Sequence, residues 1–264
     1  MDATTFPGKQ WQSLSPASAG FDAEKLAEAK ARLDAHSRDY RVVIVRHGKV
    51  VAEWYRGLGA DDQQQLASAA KSIFSNMLGI AATESKIDSP DVKLADLYPE
   101  ALDVPEGQGP KPGRYVFPKD YAITLRQLIS NTSGYMKPGE EPGQVFHYQT
   151  YGMNVFSKAI AKAYGLYDIA DPVGSPGFKT LAESRLGRPT GAKWGYYQNN
   201  FKLQESARLN VFGYYDGVKC TALDMARLGW LWCNWGRWGD RQLIPEAWMH
   251  ESTQTNPDLS LIHI

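Results

Sequence analysis

The pattern of hydrophobic and polar residues predicts an N-terminal helix, a β-hairpin and a core helix. In residues 21–37 apolar side chains recur at helical spacing, and Asp22 precedes the first turn as an N-cap. Residues 41–57 hold two runs of β-branched and aromatic residues around the turn sequence HGK, which is typical of a hairpin. Residues 64–87 carry a broad apolar stripe and predict a long core helix. That stripe consists of Ala67, Ala70, Ile73, Phe74, Met77, Leu78 and Ile80.

Helices and loops alternate in the rest of the sequence. Residues 88–120 are rich in Pro, Gly and Asp and predict irregular structure with one short helix near residues 92–98. Residues 166–220 predict another stretch rich in loops. We expect further helices at residues 123–131, capped by Thr124, at 150–165, at 221–236 and from about Pro245. A hairpin followed by helices, without βαβ alternation, predicts the α+β class.

The composition is that of one globular domain. The chain has 264 residues, of which 43% are hydrophobic and 22% are charged. Within this domain we expect residues 1–60 to form the helix and hairpin of an α/β part and residues 61–264 to form a mainly helical part. The 29 basic residues equal the 29 acidic residues in number, so the sequence offers no electrostatic surface for nucleic acid or an anionic membrane.

The sequence carries no membrane or export signal. Its apolar runs are far shorter than the roughly 20 residues that a membrane-spanning helix needs. The first residues, MDATTFPGKQW, lack the charged and then apolar pattern of a signal peptide. We therefore expect a cytoplasmic protein, or a periplasmic or secreted one if a leader has been removed.

The cysteines and histidines predict neither a disulfide nor a metal site. Cys220 and Cys233 bracket a predicted helix, whose rise of about 1.5 Å per residue separates them by about 20 Å. A disulfide needs Cα atoms within about 7 Å of each other, so we expect two free thiols. The five histidines are scattered singly, without the spacing of metal ligands. We expect no metal and no cofactor.

Ser68-Ala69-Ala70-Lys71 is the strongest candidate for chemistry. A Ser-x-x-Lys match arises readily by chance, and a helix that shows Ser and Lys to solvent also explains it. Two physical features favour catalysis. Residues three apart share a helical face with Cβ atoms about 5–6 Å apart, so the Lys71 amine can reach the Ser68 hydroxyl. Apolar neighbours would also lower the proton affinity of Lys71, as a general base requires.

Four segments of the sequence resemble the serine β-lactamase and penicillin-binding-protein-like superfamily. FHYQT, residues 146–150, is similar to the F-x-Y-S-N signature of class C β-lactamases and related esterases, and it aligns Tyr148 with the catalytic tyrosine. ITLRQLISNTSGY, ESRLGRPTGAKW and GVKCTALDMARLGW are similar to three other family segments in order and spacing. The resemblance covers about residues 12–255. It implies a β-lactamase-like fold, with an antiparallel sheet flanked by helices and a mostly helical region.

The resemblance implies a serine hydrolase that works through an acyl-enzyme, most similar to the family VIII carboxylesterases. Ser68 would attack the acyl carbon, and Lys71 and Tyr148 would together move the proton. The main-chain N–H of Ser68 would supply half of an oxyanion hole. Thr150 and Tyr135 are the expected substrate-binding residues. The expected partner is a small ester or amide, with no cofactor.

Thr150 departs from the family pattern. It replaces the Asn of true β-lactamases, and a hydroxyl cannot donate and accept in the same fork as an amide. This favours ester cleavage over β-lactam hydrolysis. The alternatives within enzymes are an amidase, a D-amino-acid peptidase and a weak β-lactamase. An alternative of another class is a non-catalytic member that binds acyl or peptide ligands.

The third signature of the family is a second departure. Lys-Thr-Gly or His-x-Gly, which the family carries on a strand after the last helix, is not found in this sequence. We therefore expect C-terminal strands to be missing, in a polypeptide roughly 100 residues longer or in a sheet that another chain completes. The hairpin strands would then expose an apolar edge through which a homo-oligomer could form. The tail DLSLIHI offers one more strand at most.

Overall fold

The hairpin expected at residues 41–57 is confirmed. The computed structural model describes residues 4–254, and in it β1 (Tyr40–Arg46) pairs antiparallel with β2 (Lys49–Arg56). His47 and Gly48 join the strands with φ of 53° and 74°. Two successive positive φ values are the geometry of a type I′ turn, whose twist matches that of the flanking strands.

In the described part of the chain five shorter strands follow: β3 (Gln64–Gln65), β4 (Gly195–Asn199), β5 (Tyr215–Cys220), β6 (Arg237–Trp238) and β7 (Arg241–Gln242). The end of β5 pairs antiparallel with β3, and β6 pairs antiparallel with β7. Within residues 4–254 no second strand pairs with β1. Association of copies through this edge stays a prediction, and the tail DLSLIHI lies outside the described residues.

The expected long helices are present, and the structure confirms two of their caps. Asp22 Oδ1 accepts hydrogen bonds from the main-chain N–H groups of Glu24 and Lys25. Thr124 and Gln127 form a capping box, in which each side chain bonds the other residue's N–H. The α-helices of the described chain are α1 (Ala23–His36), α2 (Lys71–Thr83), α3 (Leu94–Leu97), α4 (Leu125–Ile129), α5 (Thr150–Ala163), α6 (Gly177–Ala182), α7 (Arg188–Thr190), α8 (Leu209–Phe212), α9 (Ala222–Cys233) and α10 (Glu246–Ser252). None of these has the length and apolar character to cross a bilayer.

Residues 166–220 are more regular than the sequence predicts. The expected loops contain α6, α7 and α8, and the strands β4 and β5 lie in the same stretch. The three helices have 6, 3 and 4 residues, and the two strands have 5 and 6. The stretch is rich in loops as expected, but these elements were not predicted, because the helices are too short to show a helical period and the strands lack a sustained alternation of apolar and polar residues.

The chain divides into two compact units, each assembled from separate stretches of sequence. One, the hairpin unit, contains the described residues up to Leu66 together with Ser184–Gly195 and Lys219–Leu243. In it α9 packs against β1. The buried Arg227 of α9 donates hydrogen bonds of 2.8 Å to the carbonyl groups of Thr190 and Gly8.

The second, helical unit contains Ala67–Glu183, Tyr196–Val218 and the described residues from Ile244. Its core lies between α2 and α5. Phe74 and Met77 of α2 have no exposed surface, and every residue of α5 from Gly152 to Ala161 is buried. The helices α4, α6 and α8 also pack against α5. Burial of α2 and α5 fixes the starting points of both helices, which is where the predicted catalytic residues lie.

The two cysteines are free thiols, as predicted. Cys220, at the end of β5, is buried, whereas Cys233, at the end of α9, is exposed. Burial raises the pKa of the Cys220 thiol to about 11.

Candidate active site

Ser68 lies in a 3-10 turn, Ala67–Ala70, that leads directly into α2. The core helix expected over residues 64–87 would include Ser68, but in the structure the α-helix begins only at Lys71. Ala67 has a φ of 47°, a left-handed conformation that a regular α-helix cannot include. The chain therefore turns tightly before the helix begins at Lys71.

The side chains of Lys71 and Tyr148 converge on the hydroxyl of Ser68. Lys71 Nζ donates a hydrogen bond of 3.0 Å to Ser68 Oγ, and the Tyr148 hydroxyl donates one of 2.5 Å to the same atom. The amine also lies 5.1 Å from the centre of the Tyr148 ring. Tyr148 is 49% exposed, so a ligand can reach this cluster from solvent. The expectation that the Lys71 amine reaches the Ser68 hydroxyl is confirmed, and Tyr148 reaches the same atom.

The electrostatics of the cluster lower the pKa of Tyr148. Burial raises the pKa of Tyr148, but hydrogen bonds with Lys71 and Ser68 lower it, as does the positive charge of Lys71. The lowering effects prevail, and the pKa of Tyr148 lies below its ordinary value. A lowered pKa makes the Tyr148 hydroxyl a better group to exchange a proton with Ser68 during catalysis.

Asn131 positions Tyr148 through the residues on either side of it. The main-chain carbonyl of Asn131 accepts from the N–H of His147 at 2.8 Å, and its Oδ1 accepts from the N–H of Gln149 at 2.9 Å. These two bonds clamp the short segment before α5. We did not predict this role, because a contact across 18 residues leaves no spacing pattern in the sequence.

Of the two expected substrate-binding residues, Thr150 lies beside the cluster, whereas the side chain of Tyr135 is buried away from solvent. Thr150 begins α5 and contributes to lowering the pKa of Tyr148, so it borders the cluster. Tyr135 is fully buried, and its hydroxyl donates to the carbonyl of Ala101. The expectation that the Tyr135 side chain binds substrate is therefore corrected. Its carbonyl instead accepts from Gln149 Nε2 at 2.8 Å, which supports the segment that carries Tyr148.

A buried ion pair anchors the loop that supports this segment. Asp120 has no exposed surface, and its Oδ1 accepts from Lys119 Nζ at 2.8 Å. Its Oδ2 accepts from the N–H groups of Phe117 at 2.9 Å and Met136 at 3.1 Å. Lys119 also donates to the carbonyl of Gly134 at 2.7 Å. Both partners thus hold the 134–136 stretch in place.

The described chain contains no cluster of side chains that could bind a metal ion. Among residues 4–254, no group of three or more His, Cys, Asp or Glu side chains lies close enough together to hold an ion. The chemistry available at Ser68 is that of a nucleophilic hydroxyl with a nearby amine and phenol.

Several solved structures share this fold at low sequence identity. A penicillin-binding protein homologue from Caulobacter crescentus matches with a TM-score of 0.63 and 15% identity, over 88% of this chain and 74% of that chain. The D-alanine carboxypeptidase AmpC from Burkholderia cenocepacia matches with a TM-score of 0.59 and 17% identity, over 86% of this chain and 69% of that chain. An octameric penicillin-binding protein homologue from Pyrococcus abyssi matches with a TM-score of 0.60 and 12% identity, over 87% of this chain and 59% of that chain.

These likenesses establish the fold, and the antiparallel sheets flanked by helices agree with the α+β prediction. The chain spans between 59% and 74% of the length of the three proteins. The sequence itself matches the Beta-lactamase family over residues 26–260, which is most of its length. With this match, and with serine, lysine and tyrosine converging as the resemblance implied, the chain belongs to the Beta-lactamase family of the serine β-lactamase and penicillin-binding-protein-like superfamily.

Proposed function

We propose that the protein is a serine hydrolase that cleaves carboxylic esters through an acyl-enzyme. The observation that carries this proposal is the convergence of Lys71 Nζ and the Tyr148 hydroxyl on Ser68 Oγ, at 3.0 Å and 2.5 Å. A nucleophile within hydrogen-bond reach of a base that a third group orients is the general arrangement for covalent catalysis.

The reaction runs in two halves. Ser68 Oγ attacks the acyl carbon while the Lys71–Tyr148 pair takes its proton, and the Ser68 N–H donates to the oxyanion that forms. The pair then protonates the departing alkoxide, which leaves the acyl group on Ser68. Water then attacks the acyl-enzyme ester, with the same pair acting as base. The free acid is released and the Ser68 hydroxyl is restored.

The same residues also serve the alternatives. An amidase or a D-amino-acid peptidase needs a nucleophile and an acid that protonates a leaving amine, and the Ser68, Lys71 and Tyr148 set provides both. A non-catalytic member would bind acyl or peptide ligands at this cluster without forming a covalent bond. The three functions differ in acylation and in the leaving group that is accepted.

Labelling by a fluorophosphonate tests the proposed nucleophile. The unmodified protein is expected to take up about one label per chain, and Ser68→Ala is expected to take up none, because the attacking oxygen is removed. Ser72→Ala is the matched control, since Ser72 is an exposed serine in the first turn of the same helix α2. Equal labelling of Ser68→Ala and the unmodified protein would refute the assignment. The ratio of p-nitrophenyl butyrate to butyryl anilide turnover then separates an esterase from an amidase.

Thr150 is expected to limit the hydrolysis of β-lactams. The unmodified protein should hydrolyse nitrocefin far more slowly than p-nitrophenyl butyrate, because one hydroxyl cannot both donate and accept as the Asn amide does. Thr150→Asn should raise kcat/KM for nitrocefin by about 10-fold, the value of one hydrogen bond of about 1.4 kcal/mol. The measurement is the initial rate with each substrate for both proteins. Nitrocefin turnover by the unmodified protein at its esterase rate would contradict this expectation.

A further inference from the structure

A basic cavity of about 250 Å³ lies beside the candidate active site. Tyr148 and Thr150 line one side of it, so the cavity is continuous with the cluster around Ser68. Its wall also includes Lys111, Arg114, Lys137 and His147, and none of its described lining residues is acidic. The cavity is therefore a local concentration of basic groups in a chain whose net charge is zero.

Lys137 is the most informative member of the basic cavity. Its side chain is only 5% exposed, and its Nζ makes no hydrogen bond within residues 4–254. The nearest carboxylate oxygen, Glu140 Oε2, is 3.5 Å away, which is beyond the usual range of an N–H···O bond. Burial lowers the pKa of Lys137, and the charge of Arg114 lowers it further, against an opposing effect of Glu140. Lys137 therefore has a long ion pair with Glu140 but no hydrogen bond of ordinary length, and an anion in the cavity would supply one.

The other basic groups of the cavity are also available to a ligand. In the described chain neither Lys111 nor Arg114 forms an ion pair with an acidic side chain. Lys111 Nζ lies 5.7 Å from the centre of the Tyr151 ring, and Arg114 donates a long 3.4 Å bond to the carbonyl of Met136. Glu140 is the acidic group facing this cluster, and its other oxygen lies 2.9 Å from His147 Nδ1. The Glu140 carboxylate is therefore shared between two basic groups, Lys137 and His147.

The start of helix α5 adds to the positive potential. Gln149, Thr150 and Tyr151 form the N-terminal end of this 14-residue helix and also line the cavity. The N-cap residue Gln149 makes no capping bond with its side chain, which donates to the Tyr135 carbonyl instead. The positive end of the helix dipole therefore faces the cavity without a capping acceptor, and such helix ends favour bound anions.

We propose that the basic cavity binds a free carboxylate of the substrate, so that the preferred substrates are esters that carry a second, anionic carboxyl group. This inference rests on the proposed function, because it names the substrate class of the same site. Lys137 is the central group, with Lys111, Arg114 and the start of α5 around it. The substrate carboxylate offers Lys137 an acceptor at hydrogen-bond distance, which Glu140 at 3.5 Å does not.

Matched pairs of esters test the inference and locate the carboxylate. On the acyl side, p-nitrophenyl hydrogen adipate is compared with the p-nitrophenyl ester of adipamic acid, which replaces the charge with an amide of similar shape. On the leaving-group side, 4-carboxyphenyl butyrate is compared with 4-carbamoylphenyl butyrate. In one of the two arms kcat/KM for the anionic ester is expected to exceed that of its neutral partner by about 10- to 100-fold, the range of a hydrogen bond to a charged group. The pair of esters that shows this preference identifies the side of the scissile bond on which the bound carboxylate lies.

Variants then connect the preference to the cavity. Lys137→Met keeps the length and apolar stem of the side chain and is expected to bring the anionic-to-neutral ratio close to 1. Arg114→Gln, at a partly exposed position, should lower the anionic-to-neutral ratio of kcat/KM several-fold. This second variant tests the inference if Lys137→Met fails to fold. The control is Lys86→Met, because Lys86 Nζ contacts the ring of Tyr164 at the opposite end of α5, about 20 Å from Thr150. This control should leave the ratio unchanged.

A binding measurement distinguishes failure of this inference from failure of the proposed function. Ser68→Ala cannot be acylated, so calorimetry gives the Kd of each intact ester for this variant. Tighter binding of the anionic ester without turnover by the unmodified protein would support the cavity and refute the hydrolase. Turnover of all esters, with equal kcat/KM and equal Kd within both pairs, would overturn the inference and leave the hydrolase standing. A preference that Lys137→Met and Arg114→Gln both retain would also overturn it.

Discussion

Replacing Lys71 with methionine is expected to lower kcat/KM for p-nitrophenyl butyrate by about 10²- to 10⁴-fold, the range for loss of a general acid–base group. Methionine keeps the length and the apolar stem but removes the amine that donates to Ser68 Oγ at 3.0 Å. The hydrogen bond between Tyr148 and Ser68 remains, so a measurable residual activity is expected. Initial rates for the two proteins give the ratio directly. Unchanged kcat/KM in Lys71→Met would exclude Lys71 from the proton transfer.

The residual activity of Lys71→Met should also depend differently on pH. The hydrogen bond and positive charge of Lys71 help to hold the pKa of Tyr148 below its ordinary value. Without them the pKa of Tyr148 rises, so the phenolate that takes the Ser68 proton forms only at higher pH. The alkaline rise in kcat/KM should therefore move to higher pH in Lys71→Met and be absent in Tyr148→Phe. A rise at the same pH in Lys71→Met and the unmodified protein would contradict this role of the phenolate.

Replacing Asp120 with alanine is expected to lower the free energy of unfolding by about 3–5 kcal/mol, the cost of leaving one member of a buried ion pair without its partner. Lys119 is only 10% exposed, so its ammonium would lose its buried counter-ion. The N–H groups of Phe117 and Met136 would lose their acceptor at the same time. Urea denaturation followed by circular dichroism measures the change.

An exposed carboxylate provides the control for Asp120. Asp91 forms an ion pair of 2.7 Å with Arg126, but its side chain is 56% exposed. Solvent screening reduces such a pair to about 0–1 kcal/mol, so Asp91→Ala should change the free energy of unfolding very little. Similar losses in Asp120→Ala and Asp91→Ala would show that burial of Asp120 does not determine its contribution.

Local patterns explain why much of the fold and part of the candidate site could be predicted. Asp22 and Thr124 cap their helices as expected, because a capping bond spans only two or three residues. Ser68 and Lys71 lie three positions apart, so even in a 3-10 turn their side chains meet. Tyr148 was found only through the resemblance, since 80 residues separate it from Ser68.

The features that could not be predicted depend on contacts between distant residues. Asp120 accepts from Met136, which is 16 positions away, and no periodicity connects these two positions. The basic cavity joins Lys111, Lys137 and the start of α5, which only the folded chain brings together. Tyr135 was misassigned because an aromatic residue next to a family motif fits a binding role or a core role equally well, and only its burial decides.

The different reactivities of the two thiols allow the number of folded chains to be counted by labelling. Only the thiolate reacts with a maleimide dye, and the buried Cys220, with its pKa raised to about 11, is almost entirely a thiol at neutral pH. The exposed Cys233 therefore takes up one dye per folded chain. A second dye, attached to Ser68 through a fluorophosphonate, counts the chains in which Ser68 is reactive. The ratio of the two colours reports the active fraction of any preparation without a separate measurement of protein concentration.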